Sequence, residues 1–342
     1  MNKYMNWTSL TEKQKELQFS GSIHVRKNGT NLISDGFGHA IRSEQIKNQP
    51  QTRFSIASGS KIFTSIAICK LVEEGKLTFD TTIKNCLRVA LPYFDDAITI
   101  HHLLTHTSGI PDYFDEDKMD DYEELWETFP MYQVRSPKDF LPMFQLEKMQ
   151  DKVGRTFKYN NTGYILLGLV VEAISGMDFD AYIAKTIFTK IGMTNSGYFS
   201  VDELPENVAC GYIEKPDGAV KTNVFSLPAK GGPDGGAYVT AHDMGIFWEA
   251  LMNGELLSAE MMRNFMAPQE PVDEDIFYGY IGYMESNEQG VVKFIQMGYD
   301  PGVNYRSVYY PEHDLIIIVC SNQSEGAYEM LKELERITVN EI

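Results

Sequence analysis

Cysteine is scarce in this 342-residue chain, and the little there is has no chemical arrangement. Cys69, Cys86, Cys210 and Cys320 are scattered with no C-x-x-C spacing. That excludes a zinc ribbon and argues against a disulfide framework, and the mixed or apolar surroundings fit buried free thiols in a reducing compartment. Basic residues are in the minority. Thirty Lys and Arg against 48 Asp and Glu leave a formal charge of −18, which argues against nucleic acid or an anionic membrane as partner. No run of 18 apolar residues suggests a membrane span. The opening MNKYMNWTSLTEKQKELQFS lacks the apolar core and cleavage site of a leader, so the expected location is cytoplasmic. No phosphate-binding loop occurs, because the run Gly231–Gly236 follows no clear strand and lacks a Lys-Ser/Thr ending; it reads as a mobile pocket edge. His101, His102 and His106 lack the H-E-x-x-H pattern and a cysteine neighbour, so no metal is expected, and no organic cofactor either. The acidic run 115–127 reads as a solvated helix or loop.

What the chain does contain is an ordered series of elements. A helix over Thr11–Phe19, capped by Thr8 or Thr11, is followed by strands Gly21–Arg26 and Leu32–Ala40 around an Asn28-Gly29 hairpin turn. Helical spacing of apolar residues runs from Ser58 to Gly75, and a short helical segment covers Ile98–His106. Tyr164–Ile174, apolar on nearly all sides, predicts a buried helix. Phe179–Phe188 is amphipathic, and Thr240 with Asp243 opens a further helix to Met252. Val291–Met297, Asn304–Tyr310 and Leu315–Ser321 read as strands, and Glu325–Ile337 as a closing helix. Strands at both ends with helices between them predict an α+β fold. Its antiparallel sheet is built from both termini and flanked by helices, with an inserted helical lobe. The expected division is 1–75 with 236–342 for the sheet lobe and 76–235 for the helical lobe, the active site lying between them.

Within FSIASGSKIFTS (54–65), Ser58 and Lys61 are one helical turn apart. Residues i and i+3 share a helix face, so the lysine amine reaches the serine hydroxyl, which needs such a neighbour to become a nucleophile. S-x-x-K is an acyl-transfer signature, though alone it is a weak one, since solvated helix faces often carry the same pair.

Company strengthens it. With LLTHTSGIPDY (103–113), FKYNNTGYILLGLVVEAISG (157–176), GGAYVTAHDMGIFWEALMNG (235–254) and QMGYDPGVNYRSVYYPEHDLIIIVCSNQ (296–323), the chain resembles the serine β-lactamase and penicillin-binding-protein superfamily, in its class C β-lactamase, DD-peptidase and esterase branch. The resemblance spans roughly Gly21 to Gln323. It implies Ser58 as nucleophile, Lys61 as its partner, and Tyr159 and Asn161 as the Tyr-x-Asn motif, with Asn160 outside the register. A tyrosine beside a lysine ammonium loses its proton more readily and serves as base or relay. Asn161 has both donor and acceptor for orienting Lys61 or a substrate amide. The resemblance further implies an oxyanion hole from the Ser58 and Tyr299 amides.

The third motif departs from the family. Where relatives carry Lys-Thr-Gly or His-x-Gly, this chain has Gln296-Met297-Gly298. Gln296 and Gly298 are the expected substrate-binding pair, but no positive charge stands there unless Arg306 supplies one. The expected function is a serine hydrolase acting through an acyl-enzyme on an ester, amide or peptide, with a small molecule or peptide as partner. A binding or regulatory protein on the same scaffold is the alternative.

Overall fold

The computed structural model describes residues 7–115, 118–119 and 122–339. Its centre is an eight-stranded antiparallel sheet formed by β1 (Gly21–Lys27), β2 (Thr30–Phe37), β3 (Glu270–Pro271), β4 (Ile276–Gly279), β5 (Gly282–Asn287), β6 (Gly290–Asp300), β7 (Val303–Tyr310) and β8 (Leu315–Ser321), in the order β2-β1-β8-β7-β6-β5-β4-β3. The two ends of the chain therefore meet as neighbours, with Gly21 opposite Ser321 and Lys27 opposite Leu315. The Asn28-Gly29 turn joins β1 to β2, and both residues have positive φ, as a type I′ hairpin turn requires.

Alternation along β8 shows how the sheet is covered. Leu315, Ile317 and Val319 join Ile23, Val25, Val308 and Tyr310 in one core, closed by the helices α1 (Thr8–Glu16) and, at the C-terminal end, Ala327–Thr338. Ile316, Ile318 and Cys320 point the other way, into the main core. There they meet α2 (Lys61–Glu73), α3 (Asn161–Ser175) and α4 (Ala241–Met252), so the C-terminal helix is α5. Helix α3 is buried along its first eleven residues, so the burial predicted over Tyr164–Ile174 holds as far as Val171, and the helix ends at Gly176 in the left-handed region.

Several boundaries differ from the sequence expectation for identifiable reasons. Helix α1 starts at Thr8, with Trp7 and no side-chain cap before it. The second strand stops at Phe37 because Gly38 turns the chain with φ +68 into the separate short strand His39–Ile41. Thr240 does cap α4, accepting from Asp243 N, but Asp243 leaves the box open and instead accepts from Asn195 N and Ser196 Oγ. The strands β3, β4 and β5 have no counterpart in the sequence reading, since they are short and β5 alternates only weakly (GYMESN). Four residues of the acidic run, 116, 117, 120 and 121, lie outside the described residues. Its start is not solvated: Asp115 is buried and paired with Lys118 and Lys158.

The glycine-rich run 231–236 is fixed, contrary to its reading as a mobile edge. Thr64 Oγ1 donates to Pro233 O at 2.6 Å, Gly236 N donates to Ala57 O at 3.1 Å, and Gly232 and Gly235 exchange hydrogen bonds. Pro233 packs so closely on α3 that a Cβ on Gly168 would lie 1.9 Å from its ring. Gly168→Ala is therefore expected to overpack this contact and lower stability by about 1–3 kcal/mol, read as a clear drop in Tm; an unchanged Tm would mean that the loop yields freely.

Candidate active site

Ser58 lies on a tight 3-10 turn, Ala57–Ser60, whose last residue leads directly into α2. It is thus not inside the α-helix itself, but Lys61, the first residue of α2, still stands one turn away. Ala57 holds φ +45, an uncommon value for a residue with a Cβ. It is held there from both sides: Gly59 N donates to Ile56 O at 2.9 Å, and Ser60 Oγ donates to Ala57 O at 2.8 Å while accepting from Ala237 N at 2.9 Å.

Lys61 is buried at 4 % exposure. Its Nζ donates to Ser58 Oγ at 3.0 Å, to Asn161 Oδ1 at 2.7 Å and to the main-chain O of Asp234 at 2.6 Å. The ammonium also sits 4.9 Å from the centre of the Tyr159 ring and 5.5 Å from that of Tyr164. Four sequence-predicted residues, Ser58, Lys61, Tyr159 and Asn161, are therefore brought together by the turn before α2, the first residue of α2, the approach to α3, and the start of α3. Asn160, outside the motif register, caps α3 by accepting from Gly163 N at 2.7 Å.

Behind Tyr159 stands His106, buried and with φ +57. Its Nδ1 accepts from Asn160 N at 3.1 Å, so the ring proton lies on Nε2, which faces Tyr278 OH at 3.0 Å. The ring is 4.5 Å from Tyr159 and 5.2 Å from Tyr164. Burial, reinforced by the Lys61 charge, holds its pKa well below the ordinary histidine value. His101 and His102 turn elsewhere, to Tyr280 OH and to Thr99, so the three histidines do not converge.

Strand β6 closes the opposite wall. A Cβ on Gly298 would lie 2.0 Å from Ile56 O, so only glycine lets this strand lie against the Ser58 turn. The main chain then passes through Tyr299, whose side chain is exposed on the groove wall. Gln296 is buried, and its Nε2 donates to Ile281 O. It faces a narrow recess beside Lys61 and Tyr159 and is absent from the wide groove. Arg306 lines the same groove as Ser58. Its position in β7 shares a face with Val308 and Tyr310, and the guanidinium lies 5.9 Å from the Tyr328 ring.

The groove beside Ser58 has a volume of about 480 Å³. Its walls are mainly aromatic and apolar, with Tyr113, Phe140, Phe199, Leu227, Tyr238 and Tyr283 among them. The buried charge in the wall is acidic. Asp234 accepts from Tyr113 OH, which also meets Tyr122 OH at 3.0 Å. Burial raises the Asp234 pKa and the nearby Lys61 opposes that rise, while burial and Asp234 push the Tyr113 phenol well above its usual value. Asp112 and Asp234 were not singled out from sequence. Asp112 lies in the quoted LLTHTSGIPDY stretch, but a carboxylate after proline also reads as an ordinary turn residue.

The family model for beta-lactamases matches residues 10–339. The chain belongs to the beta-lactamase family. A penicillin-binding protein from Bacillus halodurans has the same fold at a TM-score of 0.93 and 47% identity, over 96% of this chain and 99% of that one. PbpX of Bacillus subtilis (strain 168), which also bears a penicillin-binding-protein name, is 28% identical over 92% of this chain and 73% of its own. A D-amino acid amidase from Ochrobactrum anthropi SV3 shares the fold at TM-score 0.78 and 19% identity, covering 98% and 100% of the two chains. Family membership and the mixed helix and antiparallel-sheet architecture thus agree with the sequence resemblance. Among the described residues no single helix is long and apolar enough to cross a membrane.

The neutral state of His106 has a consequence for stability. Its folded pKa is depressed, so its contribution is complete above the unfolded value near 6.5 and is lost as pH falls below it, by about 1.4 kcal/mol per pH unit. His24, lowered to about 4 chiefly by burial, acts in the same sense. His106→Asn is expected to be less stable than wild type at pH 7, yet to lose about 2 kcal/mol less between pH 7 and pH 5. Denaturant unfolding at the two pH values measures this; equal losses would show that folding does not depress the His106 pKa.

Proposed function

We propose that this member of the beta-lactamase family is a serine hydrolase that works through an acyl-enzyme on an ester, amide or peptide. The carrying observation is the 3.0 Å hydrogen bond between Lys61 Nζ and Ser58 Oγ, in a site where the ammonium is buried and fully engaged. A lysine that donates to three oxygens acts best as a fixed positive charge. It lowers the cost of deprotonating Tyr159, whose ring it faces, and Tyr159 takes the Ser58 proton as the hydroxyl attacks the carbonyl. The main-chain N–H groups of Ser58 and Tyr299 receive the oxyanion. Asn161 holds Lys61 through Oδ1. Collapse of the tetrahedral intermediate expels the leaving alcohol or amine with the proton from Tyr159, and water then releases the acyl group by the same steps in reverse roles.

The groove supports a reading of the substrate class. Its aromatic walls favour an apolar or aromatic acyl side chain. Its buried acidic wall and neutral Gln296 disfavour an anion near the scissile bond, so the acyl portion is neutral or carries an amine. A D-amino acid amidase with the same fold is compatible with that chemistry, though at 19% identity the likeness is one of fold.

Intact-mass measurement after incubation with a fluorophosphonate, and separately with a penicillin, tests this reading. Wild type is expected to gain one fluorophosphonate adduct and Ser58→Ala none, with Lys61→Ala slowed by about 100-fold or more. The penicillin, which carries a carboxylate, is expected to acylate far more slowly. Folded wild-type protein that gains no adduct from either reagent would instead favour a binding role for the scaffold.

A further inference from the structure

Asn161 can steady Lys61 only if its carboxamide presents oxygen rather than nitrogen to the ammonium. Nothing in the side chain itself enforces that choice, because the two ends have nearly the same shape. Asp112 does. It lies in the loop after the short helix Ile100–Leu104, half-buried against the start of α3. Its Oδ2 accepts from Asn161 N at 2.9 Å, and its Oδ1 accepts from Thr162 N at 3.0 Å and from Thr162 Oγ1 at 3.2 Å. The Asn161 Nδ2 group faces the same Oδ2 at 3.4 Å and Phe114 O at 3.5 Å. Every neighbour on that side is an acceptor, so the amide nitrogen is drawn there and Oδ1 is left for Lys61.

We propose that Asp112 is a positioning residue of this active site: its carboxylate fixes the orientation of Asn161 and, through it, the place of the Lys61 ammonium beside Ser58. The carboxylate also occupies the N-terminal end of α3, where exposed N–H groups favour negative charge. Its titration belongs near neutrality. Burial raises the Asp112 pKa to about 7, against the pull of the Asn161 and Thr162 N–H groups and of Lys61. The other titratable groups around it are Tyr122 and, beyond Tyr113, Asp234. Protonation removes acceptor capacity from the face that holds Nδ2, so Asn161 becomes free to turn and Lys61 loses its fixed place.

This inference rests on the serine-hydrolase reading for its kinetic readout only. The rate of fluorophosphonate labelling is measured from pH 5.5 to 9 for wild type, Asp112→Asn, Asn161→Ala and the double variant. Asp112→Asn keeps the volume but turns an NH2 group toward one pair of donors. It is expected to label about tenfold more slowly at pH 8, while in the Asn161→Ala background the same change costs less than about twofold, because both act along one path. The wild-type rate is expected to fall through an acid limb near pH 7 to the level of Asp112→Asn, which lacks that limb. Equal losses in both backgrounds, or an unchanged limb in Asp112→Asn, would overturn the proposal. The wild-type profile needs no variant to fold. The side-chain amide NMR signals of Asn161 supply a readout independent of reactivity: they are expected to shift with an apparent pKa near 7 in wild type, and their invariance across that range would overturn the inference even in a protein that no reagent labels.

Discussion

The structure depends on one buried ammonium. Lys61 carries a positive charge into a place where water cannot compensate it, and such a charge is tolerated only when paired and hydrogen-bonded. Three acceptors meet it, and each comes from a different part of the chain: Ser58 from the turn before α2, Asn161 from α3, and Asp234 from the glycine-rich loop. Moving any of the three segments leaves the ammonium short of a partner. The charge therefore acts as a clamp on the fold and, under the proposed function, as a group in the chemistry.

That clamp explains why the loop 231–236 is rigid despite its composition. Glycine permits unusual backbone but does not make it mobile; close approach of backbone to backbone is the alternative use. Here Pro233 is seated on Gly168 and bound by Thr64, Gly236 reaches Ala57, and the Asp234 carbonyl reaches Lys61. The loop supplies a fixed oxygen to the ammonium and a buried carboxyl to the groove wall. Its glycines are there because side chains at these contacts would separate the elements that the lysine draws together.

Much of this was legible in the sequence, and the limits are physical. The terminal strands were visible because two-sided burial leaves long apolar runs such as LIIIVCS. Helix α3 was visible for the same reason. Strands β3 to β5 were not, because they lie at the sheet's far edge, where only Tyr278, Gly279 and Met284 are buried and alternation is weak. At the site, Ser58 and Lys61 could be paired because their spacing is tied to helix geometry, while Tyr159 and Asn161 came from the resemblance to the family. Asp112, His106 and Asp234 act across distances that no spacing encodes: Asp112 reaches residues 49 and 50 positions away, and His106 meets Tyr278 across 172. Gln296 was found by register, but its destination was not: a side chain with donor and acceptor can turn inward, and the Ile281 carbonyl takes it there.

The neutral third motif and the aromatic groove are best understood together. In a site that recognises a carboxylate, a cation on the strand beside the nucleophile offsets the cost of removing the anion from water. This chain has placed an amide there and bonded it inward, while Asp234 lines the groove and the Arg306 guanidinium, which also lines it, lies 5.9 Å from the Tyr328 ring. The only buried cation facing Ser58 among the described residues is Lys61, whose hydrogen bonds are directed to the protein's own oxygens. An incoming carboxylate would have to compete with those oxygens and approach the Asp234 carboxyl. A neutral or amine-bearing acyl group meets neither penalty, and its apolar part gains from the tyrosine and phenylalanine walls. Under the proposed function, selectivity therefore comes from the charge the site withholds as much as from the surface it offers.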